Sequence, residues 1–143
     1  MRTLTFELAG APRGKERPRF VKATGRAFTA PKTVAYEGLL RLQAQEAMGG
    51  QALFSGPLKL ILTAYMPIPV SKPKKWQILA RSGEVRPIVK PDFDNIAKMM
   101  DGLNLIVWTD DAQIVEATIN KFYSDTPKLV FTVQELKSMS AFD

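Results

Sequence analysis

The stretch from Lys90 to Ile114 combines carboxylates and a lysine at spacings that suit metal-dependent chemistry. Asp92 and Asp94 lie at the start of a predicted helix, and Lys98 follows one helical turn later. A second acidic pair, Asp110-Asp111, comes after a short apolar segment. Carboxylates held close together repel one another and need a cation between them. Mg²⁺ takes one or two carboxylates together with water and phosphate oxygens, so this pattern favours a phosphodiester substrate.

Each half of the pattern also has a purely structural explanation. An aspartate that caps a helix, followed by an Asp94–Lys98 pair at i,i+4 spacing, would stabilise the helix by about 0.3 kcal/mol. Asp110-Asp111 alone would suit an ordinary surface turn. Convergence of both halves on one cation would instead make a catalytic site. The lysine would then stabilise charge on the phosphate or orient the nucleophile.

Two missing residue types narrow the chemistry further. The chain has no cysteine, which excludes disulfides, zinc fingers, thiol nucleophiles and iron–sulfur clusters. It has no histidine either, which excludes Ser-His-Asp triads and nucleases that use a histidine base. Any catalysis must therefore use carboxylates, lysines, hydroxyls or a hard cation such as Mg²⁺ or Mn²⁺ bound by carboxylates.

The basic residues are concentrated in two segments. Residues 13–32 and 72–90 hold thirteen of the twenty basic residues and two of the fourteen acidic ones, in a chain of net charge +6. The rest of the chain has seven basic and twelve acidic residues, a net charge of −5. This distribution favours a polyanionic partner such as DNA, although two solvated loops would also produce it. The phosphate contacts are expected first at Arg13, Lys15, Arg17 and Arg19, and second at Lys72, Lys74 and Lys75.

Hydrophobic periodicity predicts an α+β fold in which helices pack against a mixed β-sheet, within a single domain spanning residues 1–143. The predicted elements, in order, are a strand at 3–8, a basic hairpin at 19–29, a helix at 32–48, a strand at 57–66, a helix at 73–81, an extended segment at 84–91, a helix at 94–103, a brief strand at 106–108, and strands at 113–123 and 128–136. The first helix is expected to bury Tyr36, Leu39, Leu40, Gln43 and Ala47, and Ser71 is expected to cap the second.

The predicted helix at 94–103 has two different faces. Its apolar positions, Ile96, Met99, Met100 and Leu103, follow the i, i+3, i+4, i+7 rule and should face the core. At about 100° per residue, Asp94, Lys98 and Asp101 fall together on the opposite face. The core stripe therefore directs the charged residues toward solvent.

On these residues the chain resembles the RusA family of Holliday-junction resolvases, many of which are encoded by phages and prophages. The resemblance lies in Pro91-Asp92-Phe93-Asp94-Asn95-Ile96-Ala97-Lys98, then Asp101-Gly102-Leu103-Asn104, then Trp108-Thr109-Asp110-Asp111-Ala112-Gln113-Ile114. An N-terminal strand and basic loop before this motif, and an expected strand hairpin after it, extend the likeness over most of the chain. One departure is that Asp101 follows Lys98 by three residues, whereas the family spacing is four.

The resemblance implies an Mg²⁺-dependent endodeoxyribonuclease, with Mn²⁺ able to substitute, that places paired symmetric nicks in a four-way junction and leaves ligatable 5′-phosphate ends. It implies Asp92, Asp94 and Asp111 as metal ligands, with Asp110 as a further candidate ligand, and Lys98 as a catalytic residue. It also implies an intertwined homodimer, because two symmetric cuts call for two sites related by a two-fold axis.

The expected partners are branched DNA and a second copy of the chain, without a membrane or a small-molecule cofactor. The longest apolar run cannot span a bilayer and no N-terminal signal pattern is present, so a cytoplasmic location in a bacterial host is expected. Recombination, repair and DNA packaging are all open as the biological role. Two other functions also remain open at this point, namely a non-catalytic basic DNA-binding protein and a metal nuclease acting on other branched DNA or on RNA.

Overall fold

The computed structural model describes residues 1–15 and 31–137 in full and the backbone of residues 19–21 and 26–28. The strands and helices, in chain order, are β1 Thr3–Ala9, β2 Arg19–Val21, β3 Arg26–Phe28, α1 Pro31–Met48, β4 Leu58–Pro67, α2 Lys74–Arg81, α3 Phe93–Ala97, β5 Ile114–Ser124 and β6 Lys128–Glu135. Two 3₁₀ segments cover Lys98–Leu103 and Asp111–Gln113. The order confirms the predicted α+β class.

The main sheet is mixed, as predicted, with strand order β1-β6-β4-β5. Strand β6 runs antiparallel to both β1 and β4, whereas β4 and β5 are parallel. The prediction of a hairpin after the acidic motif is wrong, because β4 lies between β5 and β6. The buried row on β4 accounts for this, since Leu62 pairs with Phe131 on one side and with Ile119 on the other. The basic segment does form an antiparallel pair, β2 with β3.

The core lies between the sheet and α1, α3 and the first 3₁₀ segment. Strand β4 alternates as its sequence predicts, with Leu58, Leu60, Leu62, Ala64 and Met66 all buried. Helix α1 packs against β1 and buries Thr33, Tyr36, Leu40, Ala44 and Met48.

The predicted face of α1 is therefore right at Tyr36 and Leu40 and wrong at Leu39, which is 52% exposed. Gln43 and Ala47 are half-buried, and Ala47 packs against the core. The buried stripe follows i+4 spacing from Tyr36, because the helix meets the sheet along one narrow line.

Two further local predictions are wrong. Pro73, not Ser71, is the N-cap residue of α2. Ile106–Trp108 is not a strand, although Trp108 makes isolated bridges with Phe54 and Asn104. Within the described ranges, the structure contains no helix that combines the length and apolar character needed to cross a membrane.

Candidate active site

The first pair of carboxylates is placed by the start of α3. Asp92 is the N-cap residue, in extended conformation, and its side chain accepts no capping hydrogen bond. Asp94 lies in the first turn, and its carboxylate is 3.9 Å from the Lys98 amino group, with both side chains more than half exposed. The purely structural explanation, in which an aspartate caps this helix, therefore does not hold for Asp92. Among the residues that the structure describes, no partner occupies its exposed carboxylate oxygens.

The buried face of α3 and the 3₁₀ segment fixes the direction of these charges. Ile96, Met99 and Leu103 are at most 1% exposed, as the apolar stripe predicts. The helical stretch is not one α-helix, because α3 ends at Ala97 and tightens into 3₁₀ geometry from Lys98. Anchoring by the three apolar side chains leaves the charged residues on the solvent side.

A cationic segment from the N-terminal part of the chain lies against α3. The backbone amide of Lys15 donates to the carbonyl oxygen of Asn95 at 2.9 Å. Gly14 lies so close to α3 that a Cβ there would be 2.7 Å from the Cβ of Pro91 and 2.8 Å from the Cβ of Asn95. The Lys15 amino group is 3.9 Å from the carboxylate of Glu37 on α1. Arg13 and Lys15 are thereby held next to the two aspartates, although they are about 80 residues away in sequence.

The segment 13–15 and the residues from Lys90 to Lys98 form the walls of an open cleft of about 660 Å³. Its lining combines four cations with two carboxylates and three uncharged residues, namely Arg13, Lys15, Lys90 and Lys98, then Asp92 and Asp94, then Gly14, Pro91 and Asn95. Cations and carboxylates in the same cleft suit a phosphodiester that meets a divalent cation. The structure thus brings together five of the predicted site residues, two from the basic segment and three from the first part of the motif, namely Arg13, Lys15, Asp92, Asp94 and Lys98.

Sequence reasoning missed Gly14, Lys90 and Asn95 as parts of the cleft. Lys90 could have been found from its position immediately before the acidic motif. Asn95 lies within the motif itself, whereas Gly14 carries no comparable signal, because its role is the close backbone approach between two distant segments.

The two residues of the second acidic pair, Asp110 and Asp111, have different surroundings. Asp110 is the N-cap of the Asp111–Gln113 segment, and its carboxylate accepts from the amide of Ala112 at 3.2 Å. This hydrogen bond is the main reason that the pKa of Asp110 lies below its usual value. For Asp111 the carboxyl of Asp110 raises the pKa most, with burial and the carboxyl of Asp101 adding to it. Asp110 therefore has a capping role, while Asp111 lies among like charges.

The donor chemistry of the cleft fits a hard divalent cation. Asp92 and Asp94 offer exposed carboxylate oxygens, and Mg²⁺ is bound in proteins by one or two carboxylates with substrate phosphate and water. Among the residues that the structure describes, no three acidic side chains are grouped as ligands of one metal. Asp111 belongs to the neighbouring Asp101–Asp111 cluster and is not part of the cleft lining.

The remaining predicted DNA contacts lie elsewhere on the chain. Lys72, Lys74 and Lys75 are exposed at the start of α2, and the Lys72 amino group is 5.3 Å from the ring centre of Trp76. These lysines are not part of the cleft lining. Arg17 falls outside the described residues, and for Arg19 only the backbone, in β2, is described.

Comparison with known proteins gives two findings. The family model described as "Endodeoxyribonuclease RusA" matches residues 9–134, which include every residue of the cleft. The uncharacterized protein YqaN of Bacillus subtilis (strain 168) is 30% identical over 143 residues, which cover 96% of this chain and the whole of that protein.

Proposed function

Because the chain belongs to the RusA family of endodeoxyribonucleases, whose members act on Holliday junctions, we propose that it resolves four-way junctions with Mg²⁺ by paired symmetric nicks. The products are ligatable ends with 5′ phosphates, and Mn²⁺ substitutes for Mg²⁺. The observation that carries this proposal is the cleft lined by Arg13 and Lys15 together with Asp94 and Asp92, whose side chain makes no capping hydrogen bond. Such an arrangement binds a phosphate and a hard cation side by side.

Each charged residue of the cleft has a proposed role. Arg13, Lys15 and Lys90 bind the backbone phosphates of the DNA strand and hold the scissile phosphate over the carboxylates. Asp92 and Asp94 hold the metal. When bound, Mg²⁺ supplies charge neutralisation and polarises the phosphate. Lys98, one turn from Asp94, stabilises the charge that develops on the phosphate or orients the attacking water.

Asp111 is proposed as the third metal ligand. It is supported by its place in the Asp110-Asp111 pair of the family motif, which lies within the matched residues 9–134. Asp110 is the weaker candidate, because its carboxylate already caps the turn that begins at Asp111.

A homodimer is proposed because two strands must be cut symmetrically. A two-fold axis places two identical clefts on the two strands that are nicked, and a C₂ dimer is the commonest way to provide one. Light scattering coupled to size exclusion tests this directly. A species of twice the 15.9 kDa chain mass supports the dimer, and a monomer that nicks both strands symmetrically contradicts it.

The metal-site assignment is tested by single carboxylate-to-amide changes. Asp94→Asn and Asp111→Asn are expected to abolish nicking of a synthetic four-way junction in Mg²⁺, while junction binding in EDTA or Ca²⁺ persists. Asp125→Asn is the matched control, because Asp125 is an exposed aspartate paired with Arg81 away from the cleft. Full Mg²⁺-dependent nicking by either of the first two variants contradicts the assignment.

The substrate class is tested by competition in one reaction. Linear duplex, a flap, an RNA hairpin and a four-way junction are incubated together with the protein and Mg²⁺. Paired nicks in the junction support the proposal. Preferential cutting of the flap or the RNA would instead identify a different metal nuclease, and band shifts without nicks would identify a DNA-binding protein.

The cationic wall is tested by salt dependence. Each phosphate contact that is lost should reduce the slope of log affinity against log salt by about 1. We expect this for Lys15→Gln and for Lys90→Gln. Lys59→Gln serves as the control, because Lys59 alternates with the buried Leu58 and Leu60 and so points to the opposite face of the sheet. An unchanged slope in both cleft variants contradicts the assigned phosphate contacts.

The setting proposed for this activity is the cytoplasm of a bacterial host, with the gene carried by a phage or prophage. Recombination and repair are the processes in which four-way junctions arise. The competition between DNA and RNA substrates also tests this role, because an enzyme that resolves recombination intermediates must strictly prefer the four-way junction.

A further inference from the structure

The turn that carries Asp110 and Asp111 is tied to the rest of the protein by the side chain of Gln113. The Gln113 Oε1 atom accepts from the backbone amides of Thr109 at 2.9 Å and Asp110 at 3.0 Å. Its Nε2 atom donates to the carbonyl oxygens of Phe54 at 3.0 Å and Gly56 at 3.1 Å. These contacts use both acceptor positions and both N–H groups of the amide. Only a primary amide of this length can make all of them.

The segment to which Gln113 ties the turn is itself held rigidly. Phe54 is fully buried, its backbone amide donates to the carbonyl oxygen of Val107 at 2.8 Å, and it forms a bridge with Trp108. Trp108 is also fully buried, and its indole Nε1 donates to the side chain of Asn104 at 2.7 Å. The Gln113 side chain therefore connects the acidic turn to a fixed point of the core.

Gln113 also closes the turn from within. The segment Asp111–Gln113 begins with a capping box. The Asp110 carboxylate accepts a hydrogen bond from a backbone amide of this segment, and the Gln113 side chain accepts one from the Asp110 amide. The Gln113 backbone amide donates to the carbonyl oxygen of Asp110 at 3.0 Å. Asp111 thus lies close in sequence to two residues, Asp110 and Gln113, that are each held by several hydrogen bonds.

We propose that Gln113 is a positioning residue that fixes the direction of the Asp111 carboxylate by bonding the 109–110 backbone to the carbonyls of Phe54 and Gly56. The inference rests on the proposed function, in which Asp111 is a metal ligand. Partners that orient a metal ligand from behind typically set metal affinity by about 10–100-fold.

If Gln113 only stabilised the fold, its loss would disturb the β-sheet as much as the acidic turn. Strand β5 is held independently by its parallel pairing with β4, which starts at Leu58 and Ile114. Gln113 is only partly buried and three of its four side-chain contacts are with exposed groups. Loss of the side chain should therefore disturb the acidic turn far more than the sheet.

The test is Gln113→Met, which keeps the side-chain length and removes every hydrogen bond of the amide. Mn²⁺ affinity is measured by electron paramagnetic resonance on the DNA-free protein, at a temperature where thermal unfolding shows the protein to be fully folded. Gln134→Met on β6 is the matched control. We expect Mn²⁺ affinity to fall about 10–100-fold in Gln113→Met and to stay within twofold in the control.

Nicking provides a second readout. The Mg²⁺ concentration for half-maximal nicking should rise in parallel with the loss of Mn²⁺ affinity, and saturating Mg²⁺ should restore most of the rate. Junction binding in EDTA should not change. If Gln113→Met does not fold, Gln113→Asn replaces it with the same expected result, because its amide is one methylene too short to span from the turn to Gly56.

The outcomes separate the two proposals. Unchanged Mn²⁺ affinity in a folded Gln113 variant, while the wild-type protein binds Mn²⁺ and nicks the junction, overturns the positioning role alone. A loss of nicking that saturating Mg²⁺ does not restore also overturns it. A wild-type protein that neither binds Mn²⁺ nor nicks any branched DNA overturns the proposed function, and the positioning role with it.

Discussion

Gly14→Ala is the sharpest test of how the cleft is built. The new methyl group would lie 2.7 Å from the Cβ of Pro91 and 2.8 Å from the Cβ of Asn95, both of which are fixed close to the backbone. Carbon atoms pack at about 3.5–4.0 Å, so the 13–15 segment must retreat from α3 by roughly 1 Å. A retreat of that size breaks the 2.9 Å hydrogen bond from the Lys15 amide to the Asn95 carbonyl.

The expected magnitudes follow from this displacement. Overpacking of this kind costs about 1–3 kcal/mol, which lowers the Tm of a domain of this size by roughly 3–10 °C. Misplacing the phosphate contacts of Arg13 and Lys15 by about 1 Å should reduce the nicking rate by about 100-fold. The affinity for the junction in EDTA should fall less, because phosphate contacts outside the cleft are kept.

Nicking of a labelled junction, gel-shift titration in EDTA and thermal unfolding measure these effects. Gly38→Ala is the control, because nothing lies within 4 Å of a Cβ at that exposed helical position. Alanine there should stabilise the protein by about 0.5–1 kcal/mol without changing the nicking rate. If Gly14→Ala nicks and unfolds like the wild-type protein, the close packing of this segment against α3 does not position the cations.

Three further predictions concern stability and are measured by urea unfolding. Asn104→Leu leaves the buried Trp108 indole N–H without its 2.7 Å acceptor and should cost about 1–3 kcal/mol. Arg81→Ala removes an exposed 2.8 Å ion pair with Asp125 and should cost less than about 1 kcal/mol, so a larger loss would contradict its classification as a surface pair. Leu105 has φ of 67° and is 72% exposed, so Leu105→Asn should stabilise the protein by about 1 kcal/mol, and a loss of stability would show that Leu105 has a packing role.

The local elements were predictable because their signals lie within one segment. The alternation of apolar residues predicts β4 and its buried row, and Pro31 with Gly49-Gly50 marks the two ends of α1. The stripe formed by Ile96, Met99 and Leu103 predicts which side of the α3 region is buried, and therefore that Asp94 and Lys98 face solvent. Periodicity carries this information because burial selects residues at a fixed spacing.

The pairing of strands could not be read in the same way. Strands β5 and β6 follow one another through a short turn, which predicts a hairpin, yet β4 lies between them. All three strands are apolar on one face, so a sequence pattern does not distinguish neighbours from next-neighbours. The choice is made when the buried Leu62 and Phe131 and the partly buried Ile119 pack into one sheet.

By itself, then, the sequence determined the chemistry that is possible, namely carboxylates and lysines in a chain without cysteine or histidine, and the exposed side of the helix that carries them. Only the tertiary structure decided which carboxylates remain available. The Asp92 side chain makes no capping hydrogen bond, whereas Asp110 is bonded into a turn that Gln113 ties to Phe54, 59 residues away. The physical reason is that a free carboxylate and a capping one have the same residue type and similar spacing, and differ only in the partners that folding brings to them.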